Sequence, residues 1–237
     1  MATTAMVGGE SASGETTSSA YVILFELEGA AVNGHQKLFE ACQAGFKKAG
    51  ATLNELQFSR QCTHGAVPAI IAKLAAEYGN GQVSAEAEEA IFQDYVARLD
   101  REQVTVNPAF AEVLKVTRSR GIRAFALTIL PEDTARSVLE KSGLAGQGIE
   151  LHAFASNERH FPRVDCWMKI CRQVAKSPRA CIAVAGSRDS GKSALSSGMR
   201  CIVAPTSFTA YQDFGGVDAV LDSAEDIDMK ELIASLT

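Results

Sequence analysis

The stretch Gly186-Ser-Arg-Asp-Ser-Gly-Lys-Ser193 has the residue types and spacing to hold an anion. It matches G-x-x-x-x-G-K-[ST], the phosphate-cradling loop, and lies between an apolar run and a helical pattern. A glycine-bearing turn at a helix N-terminus offers backbone N–H groups, and Arg188 and Lys192 add positive charge. Asp189 opposes them. Its place just before a helix suits an N-cap, and from a shifted position it could serve a metal. Nucleotide-hydrolysing enzymes place this loop after their first strand with a long sheet to follow. Here it comes near the end of the chain, so nucleotide binding at 186–193 is the minor alternative. Two more acids, Glu26 and Glu28, follow the first apolar run, Tyr21–Phe25, in a Glu-Leu-Glu-Gly turn, and Thr128 stands near the end of another such run.

The elements that must position these residues read off periodicity. Tyr21–Phe25 is a short buried strand. Helical spacing covers His35–Lys48, with Leu38, Phe39, Cys42 and Phe46 on one face, then Pro68–Tyr78, Ala85–Leu99 and Val106–Arg120. From there strands and helices alternate: strand Ala124–Ile129, helix Pro131–Ser142, strand Leu151–Ala155, helix Asp165–Val174, strand Ala180–Ala185, helix Lys192–Ser197 and strand Cys201–Ala204. A short strand Ala219–Leu221 and a helix Met229–Leu236 close the chain. Alternation of this kind implies a parallel sheet with helices on both faces, interrupted after its first strand by an all-helical block. The expected division is a tail at 1–19, an α/β core at 20–34 and 102–237, and a helical insert at 35–101.

Composition removes several classes of function. A chain of 237 residues, 46% hydrophobic and 22% charged, suits a globular core with a small insert. The net charge of −5 and the lack of any basic run argue against nucleic acid and anionic membranes as partners. No apolar stretch is long enough to span a bilayer. The six cysteines show no C-x-x-C pair and no zinc-site spacing, and read as reduced thiols of a cytoplasmic protein or one of an organelle stroma. The first nineteen residues carry almost no bulky apolar side chain and read as a disordered tail, not a signal peptide.

Four stretches together resemble the haloacid dehalogenase superfamily, in its β-phosphoglucomutase-like and CbbY-like branch with an α-helical cap. They are Val22-Ile-Leu-Phe-Glu-Leu-Glu-Gly-Ala, Asn107-Pro through Thr128, Cys181-Ile-Ala-Val-Ala-Gly-Ser through Gly198-Met, and Cys201 through Phe214 with Asp218-Ala-Val-Leu-Asp. The resemblance implies a phosphatase or phosphomutase ancestry with Mg²⁺ as cofactor. In the family an Asp attacks phosphorus and a second Asp, two residues on, acts as acid and base. Glu26 and Glu28 stand at those positions, each moving its carboxylate out by roughly one methylene. Thr128 and the following N–H, that of Ile129, match the family's phosphate contacts.

The same resemblance implies losses. The metal-binding acids of the fourth motif are Ala185 and Gly186 here, and the third-motif Lys before Pro162 is Phe161, with Arg159, His160 and Arg163 as possible substitutes. Mg²⁺ needs well-placed carboxylate oxygens, so no cofactor is expected unless the chain is active. The loop Thr63-His64-Gly65 falls where the family's cap reads its substrate. The expectation is a catalytically impaired relative of sugar-phosphate phosphatases. It binds a small phosphorylated metabolite or a protein partner, with Thr128, Ile129, Ser187, Arg188 and Lys192 as anion contacts. The alternative is a weak or altered phosphatase or phosphotransferase.

Overall fold

The structure, a computed structural model, describes residues 19–62, 66–154, 161–221 and 227–237. Six strands form one parallel sheet: β1 (Val22–Glu26), β2 (Arg123–Thr128), β3 (Ile149–Ala153), β4 (Cys181–Ala185), β5 (Arg200–Val203) and β6 (Ala219–Val220), in the order β3-β2-β1-β4-β5-β6. β1 lies in the middle, with Val22 registered to Arg123 on one side and to Cys181 on the other. Helices cover both faces of a parallel sheet, which is why Val-Ile-Leu-Phe is a continuous apolar run without alternation, and why β1 is buried throughout. The chain builds outward from β1 to β3, then returns to β4 on the other side of β1. That reversal leaves a crevice at the carboxyl ends of β1 and β4, the place where open α/β sheets carry their ligand sites.

β1 runs into a five-residue π-helical turn, Leu27–Ala31, closed by Val32 N–H donating to the Leu27 carbonyl at 3.1 Å. Four helices follow before β2: α1 (Gly34–Lys48), α2 (Glu55–Gln61), α3 (Val67–Tyr78) and α4 (Ala85–Arg101). α1 and α3 both pack on α4, α2 packs on α3, and α4 also touches α6 (Glu132–Lys141). The two chain crossings into and out of this block run side by side, joined by an antiparallel bridge between Val32 and Val106 and by Asn33 N–H donating to Thr105 O at 3.0 Å. Asn107 then caps α5 (Pro108–Ser119), accepting from Ala109 N–H, with Pro108 in the first turn where no N–H is needed. The remaining helices are α7 (Val164–Gln173), α8 (Arg188–Ser196) and α9 (Met229–Leu236).

Several elements differ from the periodicity. α2 was not anticipated, although Asn54 and Gln57 form a reciprocal capping box visible as Asn-Glu-Leu-Gln. α8 begins at Arg188 and not at Lys192, because Gly191 sits inside the helix facing Val203 and Val217. β3 starts two residues earlier than expected. Of the tail expected at 1–19, only Ser19 belongs to the described residues, and Ala155 also lies outside them. Among the described residues no helix is long and apolar enough to cross a membrane.

Candidate functional site

Glu26 is the last residue of β1, and its carboxylate turns into the crevice toward β4. Oε1 accepts from Gly186 N–H at 3.0 Å and from the Ser190 hydroxyl. Gly186 follows β4 directly, and Ser190 lies on the buried face of the first turn of α8. The carboxylate therefore occupies the N-terminal end of α8, where helix N–H groups favour negative charge. Glu26 is only 2% exposed, and burial pushes its pKa from the ordinary 4.5 up to about 7. The Ser190 and Gly186 hydrogen bonds hold it back, and the nearby Glu28 carboxylate adds a further push upward. Packing here is tight. A Cβ on Gly186 would stand 1.9 Å from the Gly29 carbonyl, and one on Gly29 would stand 2.9 Å from Glu26 Oε2.

Glu28 sits in the π-helical turn and points toward β2. Its Oε1 accepts from the Thr128 hydroxyl, and the backbone N–H groups of Ile129 and Leu130 also stabilise its charge. Thr128 Oγ1 in turn accepts from Leu130 N–H at 2.9 Å. A hydroxyl plus successive main-chain N–H groups is an oxyanion cradle, and an internal carboxylate fills it. Burial again dominates and carries the Glu28 carboxyl up to about 7. Tyr95 of α4 is buried close enough to feel it: desolvation first, and then the Glu28 charge, push the phenol well above its ordinary range.

The structure thus brings Glu26, Glu28, Thr128, Ile129 and Ser187 into the crevice region, all buried. Ser187 Oγ finds no hydrogen-bond partner among the described residues. Of the cations expected as anion contacts, Arg188 has partners of its own and Lys192 faces outward. Arg188 Nε pairs with Asp189 at 3.1 Å, and Arg188 N–H donates to Gln212 Oε1 at 2.8 Å. Lys192 is exposed, two residues from Ser190 and so about 200° round the helix from the inward face. Asp189 lies within the first turn of α8, and Ser187 holds the N-cap position. Most of 186–193 is helix, and Ser193 Oγ is tied to Pro162 O, Ser190 O and Trp167 Nε1. Thr63, His64, Gly65, Arg159 and His160 lie outside the described residues.

The donors present do not fit a family-type Mg²⁺ site. A Cβ on Gly186 would overlap the Gly29 carbonyl, so no acid fits there without a backbone shift, and Ala185 is buried in β4. Glu26 and Glu28 turn to separate hydrogen-bond donors, and among the described residues no three His, Cys, Asp or Glu side chains cluster as a metal site. Where the family carries its Lys, Phe161 is buried with its ring 5.3 Å from that of Phe154. Arg163 is exposed and 3.6 Å from Asp165.

Sequence reasoning missed the residues that tie the helical insert to the core. Pro205–Phe214, the segment after β5, reaches it from the core. Gln212 Nε2 donates to Cys62 O at 2.7 Å while its Oε1 holds Arg188 N–H, so one side chain joins the insert to the start of α8. Tyr211 donates to Ser59 O, and the Phe208 ring packs 5.0 Å from Phe58 and 5.5 Å from Phe39. His35 Nδ1 lies 3.0 Å from Thr206 Oγ1, and burial pushes its pKa down to about 4. Ser190 alone had a usable signal, since it sits three residues after Ser187 on the same helical face.

A parallel sheet with its switch point beside a terminal β1 carboxylate, and four helices inserted just after it, is the fold of the haloacid dehalogenase-like superfamily. Within it, the resemblance falls in the CbbY-like branch. The protein CbbY of Cereibacter sphaeroides is 23% identical over 143 residues, a match spanning 59% of this chain and 62% of the relative. A crystal structure of CbbY from Rhodobacter sphaeroides in complex with phosphate superposes with a TM-score of 0.70 at 20% identity, covering 91% of this chain and 98% of that one. A β-phosphoglucomutase structure from Clostridium difficile gives a TM-score of 0.69 at 14% identity, covering 91% and 96%. No family-level sequence profile matches the chain.

Proposed function

We propose that this chain is a haloacid-dehalogenase-fold protein that does not turn over phosphoesters, because its phosphoryl site is plugged from within. The observation that carries this reading is the Glu28 carboxyl taking the Thr128 hydroxyl, whose oxygen accepts from Leu130 N–H, with the Ile129 and Leu130 N–H groups near enough to draw its pKa down. Those are the donors a phosphoryl oxygen would use. Glu26, in the nucleophile's place, is held by Gly186 and Ser190 and faces no metal-binding acids. Without a cation, a phosphate dianion approaching two carboxylates meets repulsion with nothing to offset it. Helices α1–α4 then act as a cap fastened over the plug by Gln212, Tyr211 and Phe208. A small phosphorylated molecule, the class of ligand held by the R. sphaeroides CbbY structure, binds only in competition with Glu28.

The test compares wild type with Glu28→Ala and Glu28→Ser. Wild type should show no Mg²⁺-dependent hydrolysis of p-nitrophenyl phosphate. Inorganic phosphate at millimolar concentration should raise the melting temperature of either variant clearly more than that of wild type, since only the variants expose the cradle. Turnover by wild type, or an equal phosphate response in all three proteins, overturns the proposal.

A further inference from the structure

Six thiols are scattered through the sequence without a motif, yet the fold places two of them together. Cys171 lies in the last turn of α7 and Cys181 is the first residue of β4. Their Sγ atoms are 3.4 Å apart, joined by a thiol–thiol hydrogen bond. Both sit at the amino end of the sheet, on the opposite edge from the carboxylate plug, since Cys181 is in register with Val22. The nine residues between them fold back tightly: Lys176 N–H donates to Cys171 O at 2.9 Å, and Ala175 takes a left-handed φ of 52°. The geometry points to a function for this pair: we infer that Cys171 and Cys181 form an oxidation-sensitive dithiol that closes to an intrachain disulfide on exposure to a hydroperoxide.

The two sulfurs need approach by little more than 1 Å to reach the bonded separation of about 2 Å. Chemistry favours Cys171 as the attacking sulfur. As it stands the Cys171 thiol donates to Cys181 Sγ, while the Cys181 thiol donates to Ser177 O at 3.4 Å; the sulfur–sulfur contact draws the Cys171 thiol below its ordinary value, and Arg172 assists. The same coupling pushes Cys181 up. Burial pushes Cys42, Cys62 and Cys201 up, so those thiols stay protonated and poorly nucleophilic. Both sulfurs of the pair are buried, so the reaction requires a local opening at the C-terminal turn of α7 that admits hydrogen peroxide.

The steps balance. The Cys171 thiolate sulfur attacks one peroxide oxygen, the O–O bond breaks, and hydroxide leaves to take up the proton Cys171 had released. Sulfur is oxidised by two electrons to the sulfenic acid, and the peroxide is reduced, one oxygen staying on sulfur and the other leaving as water. The Cys181 sulfur then attacks Cys171, the S–O bond breaks, and the hydroxyl departs with the Cys181 proton as a second water.

Full-length protein treated with hydrogen peroxide, then unfolded in the presence of an alkylating agent and digested with trypsin, reads the result directly. Arg172, Lys176 and Arg179 lie between the two cysteines, so trypsin separates them unless a bond joins them. The expected product is Ile170–Arg172 linked to Ala180–Arg188, two hydrogens lighter than the sum of the peptides and lost on reduction. It should appear before oxidation of any other cysteine. Cys171→Ser should leave Cys181 free and alkylated. Cys181→Ser should leave Cys171 as a sulfenic acid that a cyclic 1,3-diketone traps. Recovery of Cys171 and Cys181 as alkylated thiols at a dose that oxidises other cysteines of the chain, or a disulfide joining a different pair, overturns the inference. So does recovery of all six as free thiols at a dose that oxidises free cysteine.

Discussion

Replacing Glu26 by Gln should stabilise the protein in alkaline solution and do almost nothing in acid. Burial holds the Glu26 carboxyl at about 7, against 4.5 when unfolded. A raised carboxyl pKa means the folded state prefers the protonated form. Its favourable contribution is therefore complete below about pH 4.5 and is lost as pH climbs through 7. At roughly 1.4 kcal/mol per pH unit between the two values, ionised Glu26 costs the fold about 3 kcal/mol. Gln keeps the acceptor for Gly186 N–H and the Ser190 hydroxyl, removes the charge, and relieves its repulsion with Glu28. In a chain of this size that is a gain of roughly 6–12 °C in melting temperature at about pH 8.5, shrinking to near zero at about pH 4.5. His35, pushed down to about 4, titrates in an overlapping window with the opposite sign. The comparison must therefore be the difference between wild type and variant at each pH, measured by thermal or urea unfolding. A difference that does not change with pH, or a variant less stable than wild type at pH 8.5, would refute a buried, charge-strained Glu26.

Three other outcomes follow from the same geometry. His35→Asn removes a group whose lowered pKa supports the fold above about 6.5 and withdraws that support as pH falls toward 4, so the variant should gain about 2 kcal/mol on wild type between pH 7 and 5 in urea unfolding. Gln212→Ala strips partners from Arg188 N–H and Cys62 O; a loss of roughly 1–3 kcal/mol is expected, with faster amide exchange at Arg188, and unchanged exchange there would discount the latch. Gly186→Asp, which restores an acid at the family's metal position, should cost about 3 kcal/mol or more and fail to create millimolar Mg²⁺ affinity by calorimetry, because its Cβ meets the Gly29 carbonyl at 1.9 Å.

What sequence alone decided about this protein is the order and type of its elements. The apolar run Val22–Phe25, the alternation after Arg120 and the helical block between the first two strands follow from periodicity, which is a local property of the chain. The motif positions Glu26, Glu28, Thr128, Ala185 and Gly186 were legible too, since each is fixed by its distance from a strand end. Even the missed α2 had its capping box in plain view. Tertiary structure decided which donor meets which acceptor. Glu26 finds Gly186 and Ser190 across 160 and 164 positions, Glu28 finds Thr128 across 100, and Gln212 spans 150 to reach Cys62. The charge of Arg188 and Lys192 is visible in sequence, while their direction is not: α8 starts early, turns Ser190 inward and Lys192 outward. Hydrogen bonds and burial depend on angles and distances set only when the sheet closes, and so the string read as an anion loop folds into a helix end that receives the chain's own Glu26 carboxyl.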